Sequence, residues 1–91
     1  MSAKIHLHWH VWQELAKGQA IVEVNGNTTG ECLRHLVEQF PAIEKEIFNE
    51  DGSLLEYLSI FVNKELAFPE ELTAPVKDRD EIHLIPLIGG G

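Results

Sequence analysis

The chain holds one cysteine, one methionine and one tyrosine in 91 residues, and only seven lysines and arginines against fifteen aspartates and glutamates. A lone thiol cannot close an internal disulfide or supply the four thiolates of an iron–sulfur cluster. A net charge of −8 speaks against nucleic acid, whose backbone is held by a Lys/Arg surface, and favours basic protein partners. No apolar run approaches the ~20 residues of a membrane span. The opening MSAKIHLHW lacks the apolar core of a signal peptide, so the expected location is the cytoplasm, with no membrane partner. Also missing are a glycine-rich phosphate loop, a G-x-S-x-G elbow and an H-E-x-x-H pair. The length allows one domain, residues 1–91, with one modest core.

What is present reads as alternating short strands and one main helix. Residues 5–11 (IHLHWHV) alternate strictly, with Ile5, Leu7, Trp9 and Val11 on one face and His6, His8 and His10 on the other, so a half-buried strand is expected there. QAIVEV at 19–24 reads as a second strand, joined to the first as a hairpin with a long loop and followed by an Asn25-Gly26 turn. Thr28 and Glu31 fit a capping box. Leu33, Leu36, Val37 and Phe40 then recur at helical spacing up to Pro41, and Ile43 and Ile47, four apart, suggest a short second helix at 42–48. LSIFV at 58–62 places Leu58, Ile60 and Val62 inward and Ser59 and Phe61 outward. Residues 66–68 make at most an edge strand, 69–75 read as irregular, and EIHLI at 81–85 is the last strand. Pro86, without an N–H, ends its ladder or sits where pairing is absent. The order ββαβ(β)β is an α+β, two-layer architecture with one helix across one face of a mixed sheet, and it leaves the other sheet face open.

Two features invite a chemical reading. Cys32, early in the helix, has the position of an activated thiol, but a small residue at the core margin is the favoured reading. The alternating histidines lie roughly 6–7 Å apart by strand rise and could share a metal with a fourth histidine from another strand. The favoured reading is that they furnish the polar face of a half-buried strand, and no metal is assigned. The acidic stretch from Glu44 to Glu56 reads as a solvated side.

The ending IPLIGGG carries the main question, because glycine adds nothing to a core and loses the most entropy on ordering. The element order, the phrase IFVN at 60–63, the approach DRDEI at 78–82 and this close together resemble the MoaD/ThiS ubiquitin-like sulfur carriers. That family typically closes on D-G-D-E-V, a few apolar residues and I-P-P-V-(A or S)-G-G. Aligned from the end, Pro86 matches the first proline, Leu87 replaces the second, Ile88 matches the valine and Gly89 takes the Ala/Ser place, so nothing would need trimming to expose Gly91. Arg79 stands where the family usually has glycine, so the turn either carries Arg at some strain or takes another geometry.

The resemblance implies a ubiquitin-like β-grasp fold with four or five strands, and a carrier that is itself no enzyme, though it can be the small subunit of one such as molybdopterin synthase. It implies that an E1-like activating enzyme adenylates the Gly91 carboxylate with ATP. Sulfur then replaces AMP to give a thiocarboxylate, which a sulfur-accepting synthase subunit consumes in cofactor or metabolite biosynthesis, most readily of the molybdopterin type. Residues 86–91 would be a flexible tail in which Gly89 and Gly90 form an arm able to thread a narrow channel. No cofactor is expected on the carrier. Phe61, His83, Ile85, Pro86, Leu87 and Ile88 are expected to meet partners, and His83 to lie near His6 or His8 because the first and last strands of a β-grasp run parallel. The alternative use of the same terminus is a ubiquitin-like modifier joined through Gly91 to target lysines.

Overall fold

A computed structural model describes residues 2–68 and 70–86. Its five strands are β1 (Ala3–Leu7), β2 (Ile21–Val24), β3 (Leu58–Val62), β4 (Glu65–Leu66) and β5 (Glu81–Pro86), in sheet order β2-β1-β5-β3-β4. β1 and β5 run parallel at the centre and the other neighbours pair antiparallel. The main helix, α2 (Thr29–Gln39), is flanked by a shorter α1 (His10–Leu15) and, after a 3-10 turn at Pro41–Ile43, by α3 (Glu44–Ile47). This is the β-grasp arrangement the resemblance implies, with the short helix after Pro41 where Ile43 and Ile47 place it.

Period-two alternation sorts the strands cleanly. Ile5, Val22, Val24, Ile60, Ile82 and Leu84 are buried under the helices, together with Leu33 and Leu36 from α2. Phe61 and Ile85 on the alternate positions are half-buried. Pro86 stands opposite Leu58, so the ladder reaches the proline and does not stop before it.

The strand expected at 5–11 is a correction. β1 ends at Leu7, and His10 and Val11 belong to α1. Trp12 decides this. It is fully buried and packs edge-to-face on Trp9 with ring centroids 5.4 Å apart. Trp12, Leu15 and Ala16 have the i, i+3, i+4 spacing of a helix, which competes with the alternation before them and wins because it buries an indole. The Gln13 side-chain amide donates to the Leu7 carbonyl at 2.8 Å and fixes the exit from the strand.

The helix entry is as the capping box requires on one side: Thr28 accepts the Glu31 N–H. The Glu31 carboxylate reaches one residue further back and accepts from Asn27 N at 2.7 Å. The remaining orphan donors at a helix start need partners, and residues 71–74 supply them. Thr29 N donates to Ala74 O and Gly30 N to Leu72 O, while the buried Thr29 hydroxyl donates to Glu71 O. A Cβ at Gly30 would come within 2.7 Å of the Leu72 carbonyl, so glycine is what lets the irregular 70–75 segment dock there. No helix among the described residues is long and apolar enough to cross a membrane.

Cys32 is completely buried on α2. Burial first, then the charges of Glu31 and Asp80, push its thiol up to about 11, the opposite of activation, since the reactive species is the thiolate. Iodoacetamide at pH 8 should therefore leave Cys32 unlabelled in the native protein and label it fully in denaturant. Rapid native labelling, followed by mass spectrometry, would contradict the core assignment.

Candidate functional site

Strand register gathers the chemistry on the face opposite the helices. Directly paired residues lie on the same side of a sheet, and one continuous row crosses all five strands: Ile21, His6, His83, Phe61 and Leu66. Ile21 and Leu66 are 47% and 52% exposed. The adjoining row holds Ile85 and Ser59, again as a pair. Apolar side chains at the centre and both edges of an uncovered sheet face make a surface suited to a protein partner.

The imidazoles sit in the middle of this row. The parallel ladder sets His6 against His83 with ring centroids 4.4 Å apart. It continues one step past β1, where His8 N donates to Leu84 O at 3.2 Å. That brings the His8 ring to 5.1 Å from His83, with Nε2 and Nδ1 sharing a hydrogen bond of 2.9 Å. His6 Nε2 meets the Glu81 carboxylate at 2.6 Å. Partial burial, then repulsion from His6 and His8, holds the His83 imidazole below its ordinary range, and Glu81 offsets this in part. His10, expected beside His6 and His8, is instead the exposed first residue of α1. His83 takes its place. The expected proximity of His83 to His6 and His8 is what the structure has.

A turn just before β5 aims the chain toward its end. Lys77 N donates to Asp80 Oδ2 at 2.8 Å and Asp80 N to Lys77 O at 3.0 Å. The Asn63 side chain spans to this turn, donating to Asp80 Oδ1 and accepting from Glu81 N, while its own N–H donates to Glu81 O. These bonds explain the pairing of IFVN with DRDEI in the sequence. They also answer the question posed by Arg79, which carries φ 72 in the glycine-favoured region and is held by its N–H to Ser2 O at 2.7 Å. A non-glycine residue there costs about 1–2 kcal/mol. The Lys77 N–H chiefly, with the Asn63 amide, draws the Asp80 carboxyl below its usual range. Its folded pKa is depressed, so its stabilising effect is complete above the ordinary carboxylate range and is lost as pH falls through that lowered value.

Of the residues expected to meet partners, Phe61, His83, Ile85 and Pro86 converge on the open face and the end of β5, on strands β3 and β5. Leu87, Ile88, Gly89, Gly90 and Gly91 lie outside the described residues. Sequence reasoning missed Ile21, Leu66 and Glu81 as companions on this face. The alternation in QAIVEV already set Ile21 opposite Val22 and Val24. Finding Glu81 required knowing the β1–β5 register.

The chain is 33% identical over 90 residues to small archaeal modifier protein 1 of Haloferax volcanii, covering 93% of this chain and all of the relative. The crystal structure of that protein superposes with a TM-score of 0.85 at 31% identity and covers both chains completely. The sulfur carrier protein CysO of Mycobacterium tuberculosis is 27% identical over 77 residues, 81% of this chain and 83% of the relative. A chain in the crystal structure of the Amycolatopsis orientalis BexX/CysO complex has the same fold, with a TM-score of 0.86 at 24% identity over 98% of this chain and 99% of that one. Residues 11–91 match the ThiS family, and the chain belongs to it.

Proposed function

We propose that this protein is a sulfur carrier whose working group is the carboxylate of Gly91. An E1-like enzyme joins that carboxylate to AMP from ATP and releases pyrophosphate. A sulfur donor then displaces AMP and leaves a thiocarboxylate, which an acceptor synthase consumes. The observation that carries the reading is ThiS family membership over residues 11–91 in a chain whose central strand leads through Pro86 to Gly89, Gly90 and Gly91. Glycines at 89–91 serve as an arm: residues without Cβ can pass through a narrow channel and bend without side-chain clash. The domain holds and presents a reagent, and the bond-making is done by its partners. A molybdopterin-type synthase is the first acceptor to assay.

A second reading is favoured by the 33% identity over nearly the whole chain to a protein named as a modifier. In it, the same adenylate passes to a lysine of a target protein. Both readings require activation of Gly91, so ATP–pyrophosphate exchange by an E1-like enzyme should depend on the added carrier. Exchange that is indifferent to it would remove both.

The partner surface is the open face around Phe61. Phe61→Asp should weaken binding to the activating enzyme by roughly tenfold or more, the scale of an interface anchor, and leave the circular dichroism spectrum unchanged, because the residue lies on the half-exposed side of β3. Unaltered binding in a titration would dissociate this face from the partner. Unfolding would mean that Phe61 is core, since a buried carboxylate costs several kcal/mol.

A further inference from the structure

We propose that His6, His8 and His83 form a binding site for a zinc-class divalent cation on the open sheet face. One potential ligand atom from each of the three residues lies within 4.8 Å of the other two. The three rings form a triangle, with centroids 4.4, 5.1 and 6.2 Å apart, and all are borne by the two central, parallel strands and the residue that follows β1. Backbone pairing thus fixes the donors before any ion arrives, which places the site on a rigid part of the fold.

The chemistry of the set fits a borderline cation. Imidazole nitrogen suits zinc, copper and nickel, and three histidines with one open position is a known form of zinc site. Tetrahedral coordination at about 2.0–2.1 Å from metal to nitrogen separates the nitrogens by about 3.3–3.4 Å. His8 and His83 already stand at 2.9 Å, so a small opening of that pair and a modest closing of the third ring complete the geometry. The bond they share holds these two nitrogens facing each other.

The surroundings favour a cation. Glu81 lies 2.6 Å from His6 Nε2, where its carboxylate holds the ring and adds negative charge beside the three imidazoles, the kind of support that ligating histidines commonly have. The chain carries a net charge of −8, which raises the local concentration of cations. Ile21 and Phe61 flank the cluster in the same cross-strand row. His8 is exposed, so water would fill the fourth position. The site is independent of the sulfur-carrier reading, because nothing in it involves Gly91.

The test uses the full chain, stripped with a chelator and free of any affinity tag, titrated with Zn²⁺ by calorimetry and followed by histidine side-chain NMR. The expected result is one Zn²⁺ per chain, with ring signals of His6, His8 and His83 shifting together and those of His10 and His35 unmoved. His83→Ala should weaken Zn²⁺ binding at least tenfold, and Glu81→Gln should weaken it less, whereas His10→Ala should leave it unchanged. Ring shifts in the wild-type protein report the site even if His83→Ala folds poorly. No saturable binding, binding that moves His10 or His35 instead, or full affinity in a folded His83→Ala variant would overturn the proposal.

Discussion

Removing Gly90 and Gly91 should abolish carrier-dependent ATP–pyrophosphate exchange while leaving the melting temperature within a degree or two of the full chain, roughly the change expected when no buried contact is lost. The expectation follows from where the core lies. Every fully buried side chain among the described residues belongs to positions 3–84, and β5 ends at Pro86. The loss should be complete, because the reacting carboxylate would be withdrawn by two residues, each spanning about 3.3–3.6 Å when extended, and a reacting atom misplaced by even about 1 Å can cost a hundredfold. Gly90→Ala should show a graded form of the defect by adding only a methyl group. A fall in melting temperature on deletion would make the glycines structural, and undiminished exchange would remove Gly91 from the chemistry.

The largest effect on stability should come from Trp12→Ala. The indole is fully buried and joins α1 to the sheet, so truncation should cost about 3–5 kcal/mol. In a domain of this size each kcal/mol moves the midpoint by about 4–8 °C, so a drop of at least ~12 °C is expected, a large part of a typical total stability of about 5–15 kcal/mol. Among the described residues the Trp12 Nε1–H has no hydrogen-bond partner. Trp12→Phe should therefore cost much less, since it keeps an aromatic ring and removes an unsatisfied donor. Thermal unfolding of both variants checks this. An alanine variant that melts within a few degrees of the parent would return residues 9–11 to the half-buried strand that the alternation suggests.

The same segment shows where sequence periodicity stops being informative. Alternation located four strands because one sheet face is buried, and one residue of slippage would reverse every side chain. It failed at Trp9–Trp12, where the strand pattern and a helical spacing overlap and only burial of the second indole chooses between them. The capping box placed the start of α2 at the residue. The partners of its other N–H groups are the Leu72 and Ala74 carbonyls, in a stretch with no period at all, since its role is to offer acceptors. The histidine cluster was legible in two steps: His6 and His8 follow from alternation, and His83 joins them through a parallel pairing across more than seventy residues, which the β-grasp resemblance supplied. Asn63 and Asp80 are similar, two polar residues whose bond shows why the strand-end phrase and the later turn belong together.

Intact-mass and peptide-level mass spectrometry after incubation with an E1-like activating enzyme, Mg·ATP and a sulfur donor decides whether Gly91 carries the transferable group. A carrier gains the mass difference of one oxygen replaced by one sulfur, located on Gly91 and dependent on ATP. An unchanged mass in a reaction where the enzyme activates its own carrier, or the sulfur found elsewhere on the chain, would contradict the account, and Gly91 joined to lysine side chains with no thiocarboxylate formed would assign the protein to the modifier class instead.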